Sequence, residues 1–144
     1  MSQRDKLLAV IAEDLQQDRD DYRLLERHME ALYGQLLARD CPAIDASNAA
    51  IAETVEGLTQ RAQRRSKVLG AFGLGATPEA MQRLLGAFAP TRRPTITALW
   101  SEVGALAARC QQLNERNGNL LAMHHEILSQ LLGRGAQAAV YAPY

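Results

Sequence analysis

Between Thr95 and Leu132 the apolar residues step by three and four without a break. Ile96, Leu99, Val103, Leu106, Cys110, Leu113, Leu120, Ile127 and Leu131 fall on this rhythm, with polar Asn117 and His124 in two of its slots. Such spacing puts every slot on one face of a single long helix, and that face must be covered by another helix. A second row, Trp100, Ala107, Leu121 and Leu128, recurs every seven residues one turn to the side, broken by Asn114. Toward its C-terminal end the apolar face is therefore wider than one partner helix needs.

The N-terminal stretch repeats the rhythm through Leu8, Ile11, Leu15, Asp18, Tyr22, Leu25, Met29, Leu32 and Leu36. Ser2 or Asp5 supplies its cap. Asp18 is the one breach. It either reaches water at a bundle edge or makes a buried polar contact that fixes register. The intervening charges, among them Glu13, Asp14, Asp20, Arg23 and Glu26, read as a solvated face with local pairs. A helix from Asp5 to Ala38 is about 50 Å long, too long for a globular domain of this size, so the architecture is elongated.

Arg39-Asp40-Cys41-Pro42 ends that helix, because proline disfavours helical geometry in the residue before it. The short connection sends the next helix back antiparallel. Its seam is weaker: Ile44, Asn48, Ile51, Val55, Leu58, Ala62, Arg65, Leu69 and Phe72. Arg61, Arg64, Arg65 and Lys67 form a basic cluster suited to pairing with the acidic first helix, since residues 1–40 carry nine acids and six bases. The glycine-rich stretch from Gly70 to Gly75 stops this helix as a C-cap and hinge. Thr77-Pro78-Glu79 starts a short helix reaching about Phe88, with Thr as N-cap and Pro in the first turn. Thr95 or Thr97 caps the long last helix, and Gly133-Arg134-Gly135 ends it.

The fold class is all-α: an elongated antiparallel bundle of three long coiled-coil-like helices plus one short helix. A single domain spans 1–144, with the bundle in 1–132 and a mobile tail in 133–144. Hydrophobic residues at 47% and charged ones at 22% suit a soluble fold, and zero formal net charge gives no general pull toward nucleic acid or an anionic membrane. No apolar run approaches the length of a membrane span. Cys41 and Cys110 fit a reducing compartment and make neither a disulfide framework nor a metal site. Adjacent His124 and His125 point about 100° apart on a helix and cannot share one metal. No catalytic constellation, metal ligand set or cofactor motif stands out. An active centre is missing from this reading, and what remains is apolar helix surface in excess, which serves to bind other helices.

The N-terminal heptad helix, Trp100, Asn114-x-x-Asn117-Gly118-x-Leu120-Leu121, then Ile127, Leu128 and Leu131, and a tail with Val140-Tyr141 resemble the FlgN family of flagellar type III export chaperones. The resemblance implies a cytoplasmic protein that binds hook-associated (hook–filament junction) proteins, prevents their premature assembly and delivers them to the flagellar export apparatus. Client binding in that family lies in the C-terminal region, which here corresponds to Leu120, Leu121, Ile127, Leu128, Leu131, Val140 and Tyr141. On physical grounds the groove is flanked by Leu121, Leu128 and Leu132. The tail departs from the family, ending Tyr141-Ala142-Pro143-Tyr144 where relatives often run Tyr-Gly toward a terminal glycine. Asn114, Asn117 and Gly118 suit a helix that opens or bends, since asparagine competes for backbone hydrogen bonds and glycine costs about 1 kcal/mol in a helix. The competing reading is a structural or adaptor coiled coil that binds helices without an export role. Self-association, or the tail folding back, is an alternative way to mask the stripe when the protein is free.

Overall fold

The computed structural model describes residues 1–138, with side chains through Gly133. Four helices follow one another: α1 (Gln3–Ala38), α2 (Cys41–Ala71), α3 (Pro78–Leu85) and α4 (Arg93–Ala138). No strand occurs among the described residues.

Local chemistry sets the boundaries. The Ser2 hydroxyl accepts from the Asp5 amide at 3.1 Å, and the Asp5 carboxylate accepts from the Ser2 amide at 3.4 Å. Both candidate caps thus join in one capping box. Arg39 turns left-handed, at φ 53°, and Asp40 then caps α2 through a 3.2 Å bond from the Ala43 amide. Pro42 sits in the first turn of α2, where its missing N–H costs nothing. Gly73, at φ 72°, closes the end of α2, and the Leu74 amide reaches back to the Leu69 carbonyl at 2.9 Å. Thr77 caps α3, accepting from the Ala80 amide at 3.1 Å.

Three boundaries differ from expectation: α3 stops at Leu85, short of Phe88, and both ends of α4 move. α4 begins at Arg93, so Thr95 and Thr97 lie inside it and Pro94 occupies its first turn. It also runs through Gly133 and Gly135 to Ala138. Glycine ends a helix when it takes the left-handed conformation, and otherwise costs only about 1 kcal/mol.

α1, rather than the last helix, is the shared partner. It packs along both α2 and α4, whose backbones do not approach each other. α2 runs antiparallel to α1, with Asp14 on Arg64 and Gln35 on Ser47. α4 runs parallel to α1 at constant register. The Cys110 thiol donates to the Tyr22 carbonyl and the Asn117 amide to the Met29 carbonyl, both 88 residues apart. The same offset aligns the seam slots of the two helices, Leu8 with Ile96 through Leu32 with Leu120, as in a parallel coiled coil.

The core thins along this pair. At the wide end, α3 and the turn after it wedge Met81, Leu84, Leu85 and Phe88 against Leu8, Ile11, Leu15, Ile96 and Leu99. Further along, Leu25, Met29, Leu58, Cys110 and Leu113 form a smaller cluster. At the narrow end only Leu32, Leu36 and Leu120 remain fully buried together. Each such side chain contributes roughly 1.5–3 kcal/mol, so cohesion falls toward the α1–α2 turn.

α2 departs most from its apolar pattern. Asn48 is exposed and Val55 is 42% exposed, while Ser47 and Thr54 face inward. The Ser47 hydroxyl donates to Gln35 Oε1 at 2.6 Å, and the Thr54 hydroxyl to the Ala50 carbonyl at 3.0 Å. Asp18 is 1% exposed, so it is the buried register contact and not an edge residue. Its carboxylate accepts from Arg61 Nε at 2.6 Å and Arg65 Nη1 at 2.9 Å. Arg61 also bonds Asp21, and Arg64 grips buried Asp14 with two 2.7 Å bonds. Burial opposes the charge on Arg61, but its bonds to Asp18 and Asp21 outweigh this and raise its pKa. Arg61, Arg64 and Arg65 are therefore spent on α1, Arg61 and Arg65 largely out of water, while Lys67 is exposed. Arg23, for its part, bonds Glu102 on α4 rather than pairing with Asp20 or Glu26.

Candidate docking face on the end of the last helix

Three side chains fix α4 where the core is thin. Cys110 is buried against Tyr22. Its thiol pKa is pushed up to about 11, first by burial and then by the charge of Glu26. A thiol so placed stays protonated at neutral pH and is a packing residue, not a nucleophile. At pH 8 a maleimide is expected to label exposed Cys41 within minutes and to leave Cys110 unmodified until denaturant is added, as read by intact mass. Asn117 is 4% exposed, and its amide donates 2.9 Å to the Met29 carbonyl. This residue ties α4 to α1 and does not loosen it. Beside it, the Arg116 guanidinium lies 3.8 Å from the Tyr33 ring centroid and near Glu30.

Leu120 is the last anchor. It was expected among the client-binding residues, but it is 8% exposed and packs with Leu32 and Leu36. α1 ends at Ala38, level with Glu126 at the offset of 88 residues, and α4 continues to Ala138 with no further helix beside it among the described residues. From Ile127 onward this overhang is about 18 Å of helix.

The end of α4, from Leu121 on, is apolar on one side. Leu121 is 57% exposed, Met123 56%, Ile127 41%, Leu128 55%, Leu131 57% and Leu132 53%. At about 100° per residue these six side chains spread over roughly half the circumference, with His124 between Leu131 and Leu128, and His125, Glu126 and Ser129 lie on the other half. Five of the six were expected from the sequence. Met123 was not, although it stacks with Ile127 and Leu131 at steps of four. From Asn119 to Gly133 there is one carboxylate, Glu126, and no Lys or Arg. Exposed apolar side chains in such continuity mark an interaction surface.

Asn114 and Gly118 are exposed. A Cβ at Gly118 would meet nothing within 4 Å, so packing does not demand glycine there. Val140 and Tyr141 lie outside the described residues. Among the described residues no group of His, Cys, Asp and Glu could hold a metal ion, and no helix is long and apolar enough to cross a membrane.

Fold and face together define a helical bundle that carries an uncovered amphipathic helix end, the class to which helix-binding chaperones belong. A family model described as FlgN protein matches residues 1–133, and the chain belongs to that family, one of flagellar export chaperones. The match covers the bundle and the overhang through Leu132. No curated protein and no solved structure matches the chain.

Proposed function

We propose that this chain is a cytoplasmic chaperone for hook-associated proteins, which it binds on the exposed face of α4, keeps from assembling early and delivers to the flagellar export apparatus. One observation carries the reading. The last buried leucine of the α1–α4 seam on α4 is Leu120, yet α4 continues with an apolar face that no described residue covers. A client whose terminal amphipathic helix would otherwise self-associate finds its missing partner there.

Leu121, Met123, Ile127, Leu128, Leu131 and Leu132 form the contact surface, and Leu120 belongs to the bundle. Val140 and Tyr141 join the surface through the family resemblance. Helix plasticity falls to Asn114 and Gly118, because Asn117 is occupied by Met29. A few leucines buried at roughly 1.5–3 kcal/mol each support micromolar or tighter affinity after ordering costs. Titration with the C-terminal segment of a hook-associated protein tests this: saturable binding in that range is expected. An adaptor coiled coil without an export role would leave the segment unbound, and that result would remove the reading.

A further inference from the structure

We infer that the wide end of the bundle is a second docking surface, a basic pole that takes an acidic face of another protein while the client is held at the far end of α4. The charge of the chain is balanced in number and divided in space. Residues 1–8 and 66–95 carry six cations, Arg4, Lys6, Lys67, Arg83, Arg92 and Arg93, and two acids, Asp5 and Glu79. The rest of the chain carries ten bases and fourteen acids. The fold brings the six to one end. At the offset of 88 residues Arg93 is level with Asp5. The Arg64–Asp14 pair between antiparallel helices brings Lys67 level with Ile11, and α3 packs on the same turns of α1 through Leu84 and Leu85.

These cations differ from the arginines of the bundle's flanks. Arg61, Arg64 and Arg116 each meet a carboxylate of α1. All six at the pole are exposed, and among the described residues none has a carboxylate at salt-bridge distance. Asp5 is taken up by the cap at Ser2. Two of the arginines are held in place without being neutralised. The Arg4 guanidinium lies 5.4 Å from the Phe72 ring centroid, and Arg93 Nη2 donates to the Phe88 carbonyl at 3.1 Å. Arginines fixed in this way lose little freedom on meeting a carboxylate. Half-buried Leu7 and Phe72 line an open pocket beside Arg4, a seat for an apolar side chain of the partner.

The division of charge also selects the kind of partner. A nucleic-acid strand running past the pole would meet the acidic remainder of the chain and be repelled. A protein face that touches the tip alone, acidic and with an apolar side chain for the pocket, meets attraction throughout. From Arg93 to Leu121 is about 42 Å along α4, so the pole stays open when the client is bound. For the identity of the partner the inference rests on the proposed function, which makes it a soluble component of the export apparatus.

The test titrates the full-length chain, free and saturated with a hook-associated C-terminal segment, with the purified soluble components of the flagellar export apparatus at about 50 and 500 mM salt. One component is expected to bind both forms alike, and tenfold or more weaker at the higher salt. Arg83→Glu with Arg92→Glu cancels the excess charge of the pole and should weaken that binding tenfold or more, with melting and client affinity unchanged. Lys6→Glu with Lys67→Glu, on two other helices, should do the same, so a folding defect in one variant leaves the other as the test. Unaltered binding by both variants, or no component bound by the unaltered chain, overturns the inference. Single-stranded RNA or phosphatidylglycerol vesicles bound in place of any component would overturn it as well. A client segment that fails to bind the unaltered chain counts against the chaperone reading alone, because the pole is tested on the free form too.

Discussion

Asp18→Ala is expected to destabilise the chain by about 3–5 kcal/mol, read as a lowered urea midpoint at unchanged slope. The carboxylate is buried, and two guanidiniums depend on it, Arg61 through Nε and Arg65 through Nη1. Removing it leaves Arg65, whose side chain is 17% exposed, without its carboxylate partner. Arg61 keeps only Asp21. The loss comes from stranded charge rather than from the missing attraction, so the sign reverses when the charges leave together. Asp18→Leu with Arg61→Leu and Arg65→Met should recover most of the stability, as buried ion pairs replaced by apolar side chains of similar volume often do. If Asp18→Ala costs less than 1 kcal/mol, the carboxylate is solvated and the register contact does not exist.

Leu121→Asp with Leu128→Asp has the largest expected effect on function. Two leucines worth roughly 1.5–3 kcal/mol each correspond to a loss of about a hundredfold or more in affinity for a hook-associated C-terminal segment, at 1.4 kcal/mol per tenfold. The free protein should barely notice. Both side chains are more than half exposed, and surface substitutions away from special features stay within about 0.5 kcal/mol. Unchanged circular dichroism and melting, together with lost binding, is the expected pattern. Unfolding of the double variant would instead place the two leucines in the core.

The seams of α1 and α4 were legible in the sequence because both are apolar at steps of three and four, and the start of α1 is marked by a capping box, whereas both ends of α4 escaped the reading. The α2 face was not. Its inward positions include Ser47, Thr54, Arg61 and Arg65, which are held by hydrogen bonds and ion pairs. A reading that follows apolar residues passes instead through Asn48 and Val55, which the structure leaves outside. Asp14 was misplaced and Asp18 left open for the same reason, since a carboxylate looks solvated until its arginines are known to reach it. The exposed face at the end of α4 was legible in its leucines. Its inner limit was not, because Leu120 and Leu121 look alike as letters. Direction separates them: Leu120 points into the seam against Leu32 and Leu36, and Leu121 points about 100° to the side.

Amide hydrogen exchange on the full chain, free and with a hook-associated C-terminal segment, tests the central claim most directly. In the free protein, amides up to about Glu126 share the protection of the bundle, and those from Ile127 to Leu132 exchange faster, as suits a helix with no tertiary partner. On adding the segment, the overhang should gain protection while α2 and α3 stay as they were. Protection gained elsewhere, for example around Trp100 and α3, with the overhang unchanged, would contradict the assignment of the client to the end of α4.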